Sequence, residues 1–152
     1  MSAFKGSYTH SIDSKGRINL PAKLRKHVSP EANDTFVITR GFEQCIVVYP
    51  LDEWNNYEKT IRNLPTADPG SRYVTRLLLQ YATECQLDGQ SRIMLPQQLI
   101  TFADIKNEAL ILGVLERIEM WNPEIYENYI RQQESSYEEV AEKVFLNNAF
   151  VK

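Results

Sequence analysis

The sequence predicts an α+β protein in which one β-hairpin unit occurs twice, with helices between and after the two copies. Three observations predict this fold class: an internal repeat, short apolar runs bounded by turn residues, and apolar residues at helical spacing between the copies. The chain has 152 residues, of which 43% are hydrophobic and 11% aromatic. That is enough to bury the core of one domain or of two intertwined half-units.

The repeat is clearest in two ten-residue segments, 12–21 and 87–96, which read IDSKGRINLP and LDGQSRIMLP. Asp13 corresponds to Asp88, and at the same offset of 75 positions an Arg, an Ile, a Leu and a Pro also coincide. A second pair of segments beginning at residues 36 and 109 matches at an offset of 72 to 73. Two ordered blocks at nearly one offset indicate a duplication.

Each copy begins with two predicted strands around a turn, at residues 13–17 and 88–92. The Asp that opens each turn can accept hydrogen bonds from the backbone, and Gly16 can adopt a positive φ. Pro21 and Pro96 then end the strands and can open short helices. We therefore expect strand, turn, strand and helix in both copies.

Two apolar, β-branched runs follow in each copy and predict further strands joined by tight connections. They cover residues 35–41 and 45–49 in copy one, and 109–115 and 117–121 in copy two.

Between the copies, apolar residues at helical spacing predict two helices that are separated at residues 66–70 (TADPG). A longer helical stretch is predicted from about residue 123 into the acidic segment 137–143; the alternative is a simple surface helix with a frayed, disordered tail. The chain then divides into a first repeat (1–55), connecting helices (56–82), a second repeat (83–127) and a C-terminal helical tail (128–152).

Charge is distributed unevenly along the chain, whose net charge is −3 and whose pI is about 5.5. Residues 1–80 hold 11 basic and 8 acidic side chains, whereas residues 81–152 hold 6 and 12, and the first 27 residues hold six basic and one acidic. A basic segment on an acidic chain can bind a polyanion locally. The alternative is that these charges form an ordinary solvated face.

The motif Asp-x-x-x-Arg occurs at both predicted tips, as Asp13 with Arg17 and as Asp88 with Arg92. Because a tight turn brings the two side chains together, an ion pair can aim the guanidinium at a phosphate or a guanine edge. A β-ribbon also fits the DNA major groove. The alternative is that the pair only stabilises the turn.

Copy one carries more positive charge around its motif than copy two does. Its extra basic side chains are Lys15, Lys23, Arg25 and Lys26, whereas Gln90, Gln98 and Ile100 replace three of them in copy two. We expect these four to anchor phosphates and Arg17 to make a base contact or a tightly placed phosphate contact. Replacing Arg92 should therefore weaken binding less than replacing Arg17.

At these residues the chain resembles the MraZ family. The resemblance rests on the two Asp-x-x-x-Arg hairpins, each followed by a strand and Pro, and on segments 49–54 (YPLDEW), 76–79 (RLLL) and 84–88 (ECQLD). It covers about residues 4–130. It implies two tandem swapped-hairpin (AbrB-like) βββ units forming a small barrel, ring assembly, and a DNA-binding regulator at the promoter of the division and cell-wall gene cluster.

The resemblance also implies that DNA contacts fall on the two motifs. The implied contact residues in this sequence are Asp13, Lys15, Arg17, Asp88 and Arg92. The chain departs from the family pattern at Ser91, where the family usually has Gly. A positive φ at this serine would cost about 1 kcal/mol or more.

Other chemistries are not predicted. His10, His27, Cys45 and Cys85 show no metal-ligand spacing, and the sequence has no phosphate-cradling glycine loop. We therefore expect no enzyme activity, cofactor, metal or small-molecule substrate. No apolar run reaches the ~18–20 residues of a membrane span, and no secretory apolar region opens the sequence. These features predict a cytoplasmic protein without a membrane partner.

Four aromatic residues recur at matching positions of the repeat: Tyr49, Trp54, Trp121 and Tyr126. Because they lie beside apolar runs, we expect them in the core or a subunit interface. The alternative is a platform that stacks single-stranded bases.

The sequence thus predicts a sequence-specific double-stranded-DNA-binding transcriptional regulator, associated with the nucleoid and acting as a ring-shaped homo-oligomer on direct repeats in a promoter, its own included. The alternative is a ring-forming scaffold whose basic face docks an acidic protein.

Overall fold

The described part of the chain, residues 2–149 of a computed structural model, is a mixed α+β structure. Its strands are β1 Ser7–Ser11, β2 Arg17–Asn19, β3 Thr35–Arg40, β4 Ile46–Pro50, β5 Thr83–Gln86, β6 Arg92–Met94, β7 Glu108–Val114 and β8 Arg117–Trp121. Its α-helices are α1 Ala22–Arg25, α2 Leu51–Arg62, α3 Pro69–Gln80, α4 Gln97–Ala103, α5 Pro123–Arg131 and α6 Tyr137–Ala149. None of these helices is long and apolar enough to cross a membrane.

The predicted order of elements is confirmed in both copies. Each Pro after the second strand precedes a short helix, because α1 follows Pro21 and α4 follows Pro96. Between the copies, α3 begins earlier than the predicted break suggests. The carboxylate of Asp68 accepts hydrogen bonds from the backbone N–H groups of Gly70 and Ser71, so it caps the helix that Pro69 opens.

The prediction of one long C-terminal helix is wrong, because α5 and α6 are separated at residues 132–136. The local cause is serine capping: the Ser136 hydroxyl accepts a hydrogen bond (3.2 Å) from the backbone N–H of Glu139. Such a cap satisfies a backbone donor at the start of a new helix. Residues 150–152 of the predicted tail lie outside the described residues.

Strand pairing intertwines the two copies. Strand β1 of copy one pairs with β7 of copy two, and β5 of copy two pairs with β3 of copy one. The second strands, β2 and β6, pair with each other, and so do β4 and β8. The sequence predicted that the strand before each Asp pairs with the strand after it, and this prediction is wrong because these strands form no extended ladder. In copy one a single bridge joins Ile12 and Ile18.

The larger sheet is open. Its six strands run in the order β1-β7-β8-β4-β3-β5, so that β1 and β5 are its edges, and β2 with β6 forms a separate two-stranded ribbon. The α+β class is confirmed, whereas the strand ladders do not close into the small barrel that the resemblance implied.

Alternation along the strands divides the apolar residues between two cores. On β3, Phe36 and Ile38 belong to one core, and Val37 between them belongs to the other. The first core also contains Ile18 of β2 and Ile93 of β6. These two side chains pack the ribbon against the larger sheet. The second core packs beneath α2, α3 and α5 and holds both tryptophans.

Candidate nucleic-acid interface

The ribbon formed by β2 and β6 presents one face to solvent. Its central pair, Ile18 opposite Ile93, is 1% and 0% exposed and points into the first core. Because side chains alternate along a strand, the residues on either side of this pair point outward. The outer face of the ribbon consists of Arg17, Asn19, Arg92 and Met94.

The first predicted ion pair forms at the end of this face. The Nε of Arg17 donates to Oδ2 of Asp13 at 2.7 Å, and Oδ1 of Asp13 accepts from the backbone N–H groups of Lys15 and Arg17, both at 2.9 Å. The backbone N–H of Arg17, aided by its side chain, lowers the pKa of Asp13 despite an opposing desolvation. The carboxylate is therefore ionised at neutral pH.

The second tip repeats this geometry. The Nε of Arg92 donates to Oδ2 of Asp88 at 2.8 Å, and Oδ1 accepts from the backbone N–H groups of Gln90 at 2.8 Å and Arg92 at 2.9 Å. The backbone N–H of Arg92 is likewise the main cause of the lowered pKa of Asp88. Each carboxylate thus orders the turn and the arginine together.

The pairing leaves recognition groups available on both arginines. Among the guanidinium nitrogens of Arg17 and Arg92, only Nε makes a hydrogen bond with residues 2–149, and both side chains are partly exposed. The two terminal amino groups of each guanidinium can therefore donate to an anion or to a base edge. An arginine that is already oriented loses less conformational entropy when it binds.

Ser91 occupies the left-handed backbone region that Gly16 occupies in the first tip. The φ values are 61° at Ser91 and 83° at Gly16. Nevertheless the backbone N–H of each residue donates to the Asp carbonyl oxygen of its own turn at 3.0 Å. The second turn is therefore as tight as the first, at the cost of backbone strain.

Single substitutions at these two positions should change the stability of the fold in opposite directions. We expect Ser91→Gly to stabilise the fold by up to about 1 kcal/mol, since strain is relieved but the unfolded chain gains freedom. Gly16→Ser should destabilise it by about 1–3 kcal/mol, because a Cβ there would lie 2.9 Å from the carbonyl oxygen of Leu95 and 3.0 Å from Cδ1 of Ile100. Urea unfolding measures both; an unchanged midpoint for Gly16→Ser would contradict this account.

Helix α1 of copy one lies beside the second tip. The backbone N–H of Leu20, which leads into α1, donates to the carbonyl oxygen of Ser91 at 3.1 Å. A cleft next to this bond is lined from one side by Arg25 and Lys26 and from the other by Asp88 and Ser91. Arg25 also donates through Nε to the carbonyl oxygen of Leu20 (3.1 Å), which fixes its side chain.

Helix α4 of copy two takes the corresponding place beside the first tip. The backbone N–H of Leu95 donates to the carbonyl oxygen of Gly16 at 2.8 Å, and Ile100 packs close to the same glycine. Helix α4 carries no basic residue. The intertwining thus exchanges the helices between the tips.

This exchange changes the charge distribution that the sequence suggested. Lys15 stays on the first tip with Arg17, but the basic helix α1 stands next to the second tip, where Gln90 had replaced a lysine. The side chains of Lys23 in that helix and of Lys26, which follows its last residue, are both exposed. The interpretation that all the basic residues of copy one surround Arg17 is therefore wrong for α1.

Asn19 and Met94 are exposed ribbon residues that the sequence analysis missed. The side-chain amide of Asn19 donates to the carbonyl oxygen of Gln90 at 2.9 Å and so ties copy one to the second tip. Met94 is 51% exposed directly opposite Arg17. Their spacing of two residues from each Arg was the available signal, because strand alternation places such residues on one face.

The recurring aromatics lie in the second core, as predicted. Tyr49, Trp54 and Trp121 are buried, and the rings of Trp121 and Tyr126 pack edge to face with centroids 5.0 Å apart. The stacking-platform alternative is wrong for the three buried rings.

Across residues 2–149, no three His, Cys, Asp or Glu side chains are grouped so as to hold a metal ion.

Comparison with known proteins identifies the family. The family model described as "MraZ protein, putative antitoxin-like" matches the chain twice, over residues 3–77 and 78–148. A protein named transcriptional regulator MraZ from Natranaerobius thermophilus is 45% identical over 141 residues, which cover 93% of this chain and 96% of that protein.

Two further relatives have the same name. The one from Caldanaerobacter subterraneus subsp. tengcongensis is 42% identical over 137 residues, covering 90% of this chain and 93% of the relative. The one from Halothermothrix orenii is 42% identical over 138 residues, covering 91% and 94%. With a family model matched across two tandem segments and relatives aligned over nearly their full length, the chain belongs to the MraZ family.

Proposed function

We propose that this protein is a sequence-specific double-stranded-DNA-binding transcriptional regulator. The outer face of the β2–β6 ribbon carries the proposal, since its two arginines are held by aspartates at 2.7 and 2.8 Å. A two-stranded ribbon fits the width of a major groove, and an oriented guanidinium can read guanine. The name of the relatives, transcriptional regulator MraZ, supports the same function.

The proposed contacts divide into two classes. Lys15, Lys23, Arg25 and Lys26 anchor phosphates, which supplies affinity without sequence preference. Arg17 and Arg92, each positioned by its Asp, contact base edges or closely placed phosphates. On the same face, Met94 lies opposite Arg17 and Asn19 lies opposite Arg92. They add an apolar group that can contact a thymine methyl and a hydrogen-bonding group.

The finer predictions from the sequence are part of the same proposal. They are a cytoplasmic, nucleoid-associated protein without catalytic activity or cofactor, a ring of copies, and control of the division and cell-wall gene cluster and of the protein's own promoter. We also propose that the chain divides after residues 55, 82 and 127 into a first repeat, connecting helices, a second repeat and a C-terminal tail, and that each repeat is a swapped-hairpin unit. The pairing of first and third strands between copies supports the latter.

The direct test is binding to the protein's own upstream region. At one fixed salt concentration, the affinity for this duplex is compared with that for a scrambled duplex of equal length and composition. A specific regulator should prefer the cognate duplex by about 10³-fold or more. Equal affinities would contradict the proposal.

The same assay addresses the alternative scaffold, in which the basic face docks an acidic protein. Such a surface would bind both duplexes alike, because charge alone carries no sequence information. Salt dependence by itself would not separate the two functions, since both are electrostatic.

Because α1 lies beside the second tip, we now expect the two arginines to contribute comparably. The loss of affinity for the cognate duplex in Arg92→Ala should be within about threefold of the loss in Arg17→Ala, since basic side chains lie near each arginine. Titration of both variants against one duplex at matched ionic strength measures the difference. Arg131→Ala on α5, which removes one exposed arginine away from the ribbon, is the control. A tenfold smaller loss for Arg92→Ala would favour the sequence-based expectation instead.

A further inference from the structure

A pocket lies beside the turn that joins β3 to β4. It encloses about 380 Å³ and is lined by that turn, by α2 and by the β7–β8 hairpin. A pocket of this size can hold a small molecule. Val47 and Tyr49 of β4 line it and belong to the second core, whereas the ribbon of β2 and β6 packs against the first core. The pocket and the candidate nucleic-acid interface therefore lie on opposite faces of β4.

The lining of the pocket carries more negative than positive charge. Four acidic side chains face two basic ones, a formal balance of −2: Glu43, Glu53, Glu116 and Glu119 against Arg40 and Arg117. Arg117 is paired with Glu116 at 2.9 Å and with Glu119 at 3.5 Å. The guanidinium of Arg40 lies over the ring of Phe102, 4.3 Å from its centroid. Both arginines are thus already engaged with other groups.

Glu53 on α2 is a buried carboxylate with incomplete hydrogen bonding. The residue is 6% exposed, and its Oε2 accepts a hydrogen bond (3.3 Å) from the backbone N–H of Ser2. Its Oε1 accepts no hydrogen bond from residues 2–149, and Glu53 makes no ion pair with them. Because Glu53 lines the pocket, a ligand there can supply the missing donor. A donor that also carries a positive charge stabilises a buried carboxylate most.

Two tyrosines form an aromatic wall in the same pocket. The rings of Tyr49 and Tyr57 are stacked, with centroids 5.2 Å apart and planes inclined by 17°. Burial raises the pKa of both phenols, so both are uncharged at neutral pH. Aromatic faces attract organic cations and pack against alkyl chains. The wall therefore suits a ligand that is both aliphatic and cationic.

We propose that this pocket binds a small aliphatic diamine in its doubly protonated form. One ammonium group donates to Oε1 of Glu53, the alkyl chain packs against Tyr57, and the second ammonium group lies near the carboxylates of the β7–β8 hairpin. The two positive charges match the balance of −2 in the lining. This inference does not depend on DNA binding, because the basic ribbon lies on the other face of β4 and repels a dication.

Calorimetry on the full-length protein tests the ligand class with linear diaminobutane as the probe. We expect one saturable site per chain. Butanediol has the same chain length without charge, and Nα-acetyl-lysine amide has a single ammonium group on a similar chain. Each should bind at least about tenfold more weakly, since each lacks a charge-assisted hydrogen bond. If the lysine amide bound as tightly as the diamine, the pocket would be a seat for a lysine of a partner protein and the proposal would be overturned.

A substitution tests the role of Glu53. Glu53→Gln keeps the size of the side chain and removes its charge, so the affinity for diaminobutane should fall about tenfold or more. Glu127→Gln is the matched control, because this exposed glutamate on α5 lies outside the pocket and should leave the affinity unchanged. Equal affinity in Glu53→Gln and the wild type would overturn the proposal, and so would a wild-type protein without a saturable site.

A measurement on the wild type locates the site even if Glu53→Gln does not fold. Diaminobutane should shift the backbone amide NMR signals of Asn56, Tyr57 and Thr60, which belong to the α2 side of the pocket. The signals of Arg17 and Arg92 on the ribbon should stay in place. Shifts spread over acidic surfaces elsewhere, with none at α2, would show only non-specific attraction of a dication and would contradict the proposed site.

Discussion

Arg17→Ala should abolish specific DNA binding while the fold remains intact. Loss of one bidentate base contact costs about 1–3 kcal/mol, and the loss is multiplied when several linked copies bind one site. The fold should persist because the buried Ile18 and the hydrogen bonds from the backbone N–H groups of Lys15 and Arg17 to Asp13 do not require the guanidinium. Cognate affinity and thermal unfolding are measured together.

A second substitution separates contact from positioning. Asp13→Asn keeps the turn's carbonyl acceptor but removes the charge that holds Arg17, so we expect a smaller loss of specific binding than Arg17→Ala causes. Arg131→Ala again serves as the control for loss of one exposed positive charge. Unchanged cognate affinity in Arg17→Ala, with an unchanged melting temperature, would remove Arg17 from the proposed interface.

Moving two directly repeated half-sites apart by half a helical turn should collapse binding. A single ribbon reads few base pairs, so one copy should bind weakly against the excess of competing genomic sites. Linked copies make later contacts intramolecular and raise the affinity. A head-to-tail assembly presents its ribbons in one orientation, which matches direct repeats rather than a palindrome.

The spacing series is the measurement for this prediction. Inserting about five base pairs, half of the ~10–10.5 bp turn, should place the second half-site on the wrong side of the duplex, and inserting a full turn should restore part of the affinity. Light scattering should show a protein larger than a dimer. A monomer or dimer that binds one half-site with full affinity, or a preference for inverted repeats, would contradict the prediction.

Local features of the fold and of the candidate site could be predicted from the sequence. The duplication, the order of strands and helices in each copy, and both Asp–Arg pairs depend on residues a few positions apart. A tight turn brings an Asp close to the Arg four residues later, and in both pairs the Arg Nε lies less than 3 Å from the Asp Oδ2. The aromatic positions were likewise predictable, because apolar neighbours at fixed spacing define a buried face.

Only the tertiary structure decided which copy each element serves. The sequence determined that α1 is basic and α4 is not, but it placed α1 with the first tip. Equivalent strands of two similar copies offer equivalent hydrogen bonds and apolar faces, so local preference does not choose between pairing within a copy and between copies. Packing of the whole sheet makes that choice: β1 pairs with β7, β5 with β3 and β2 with β6, and this brings α1 to the second tip.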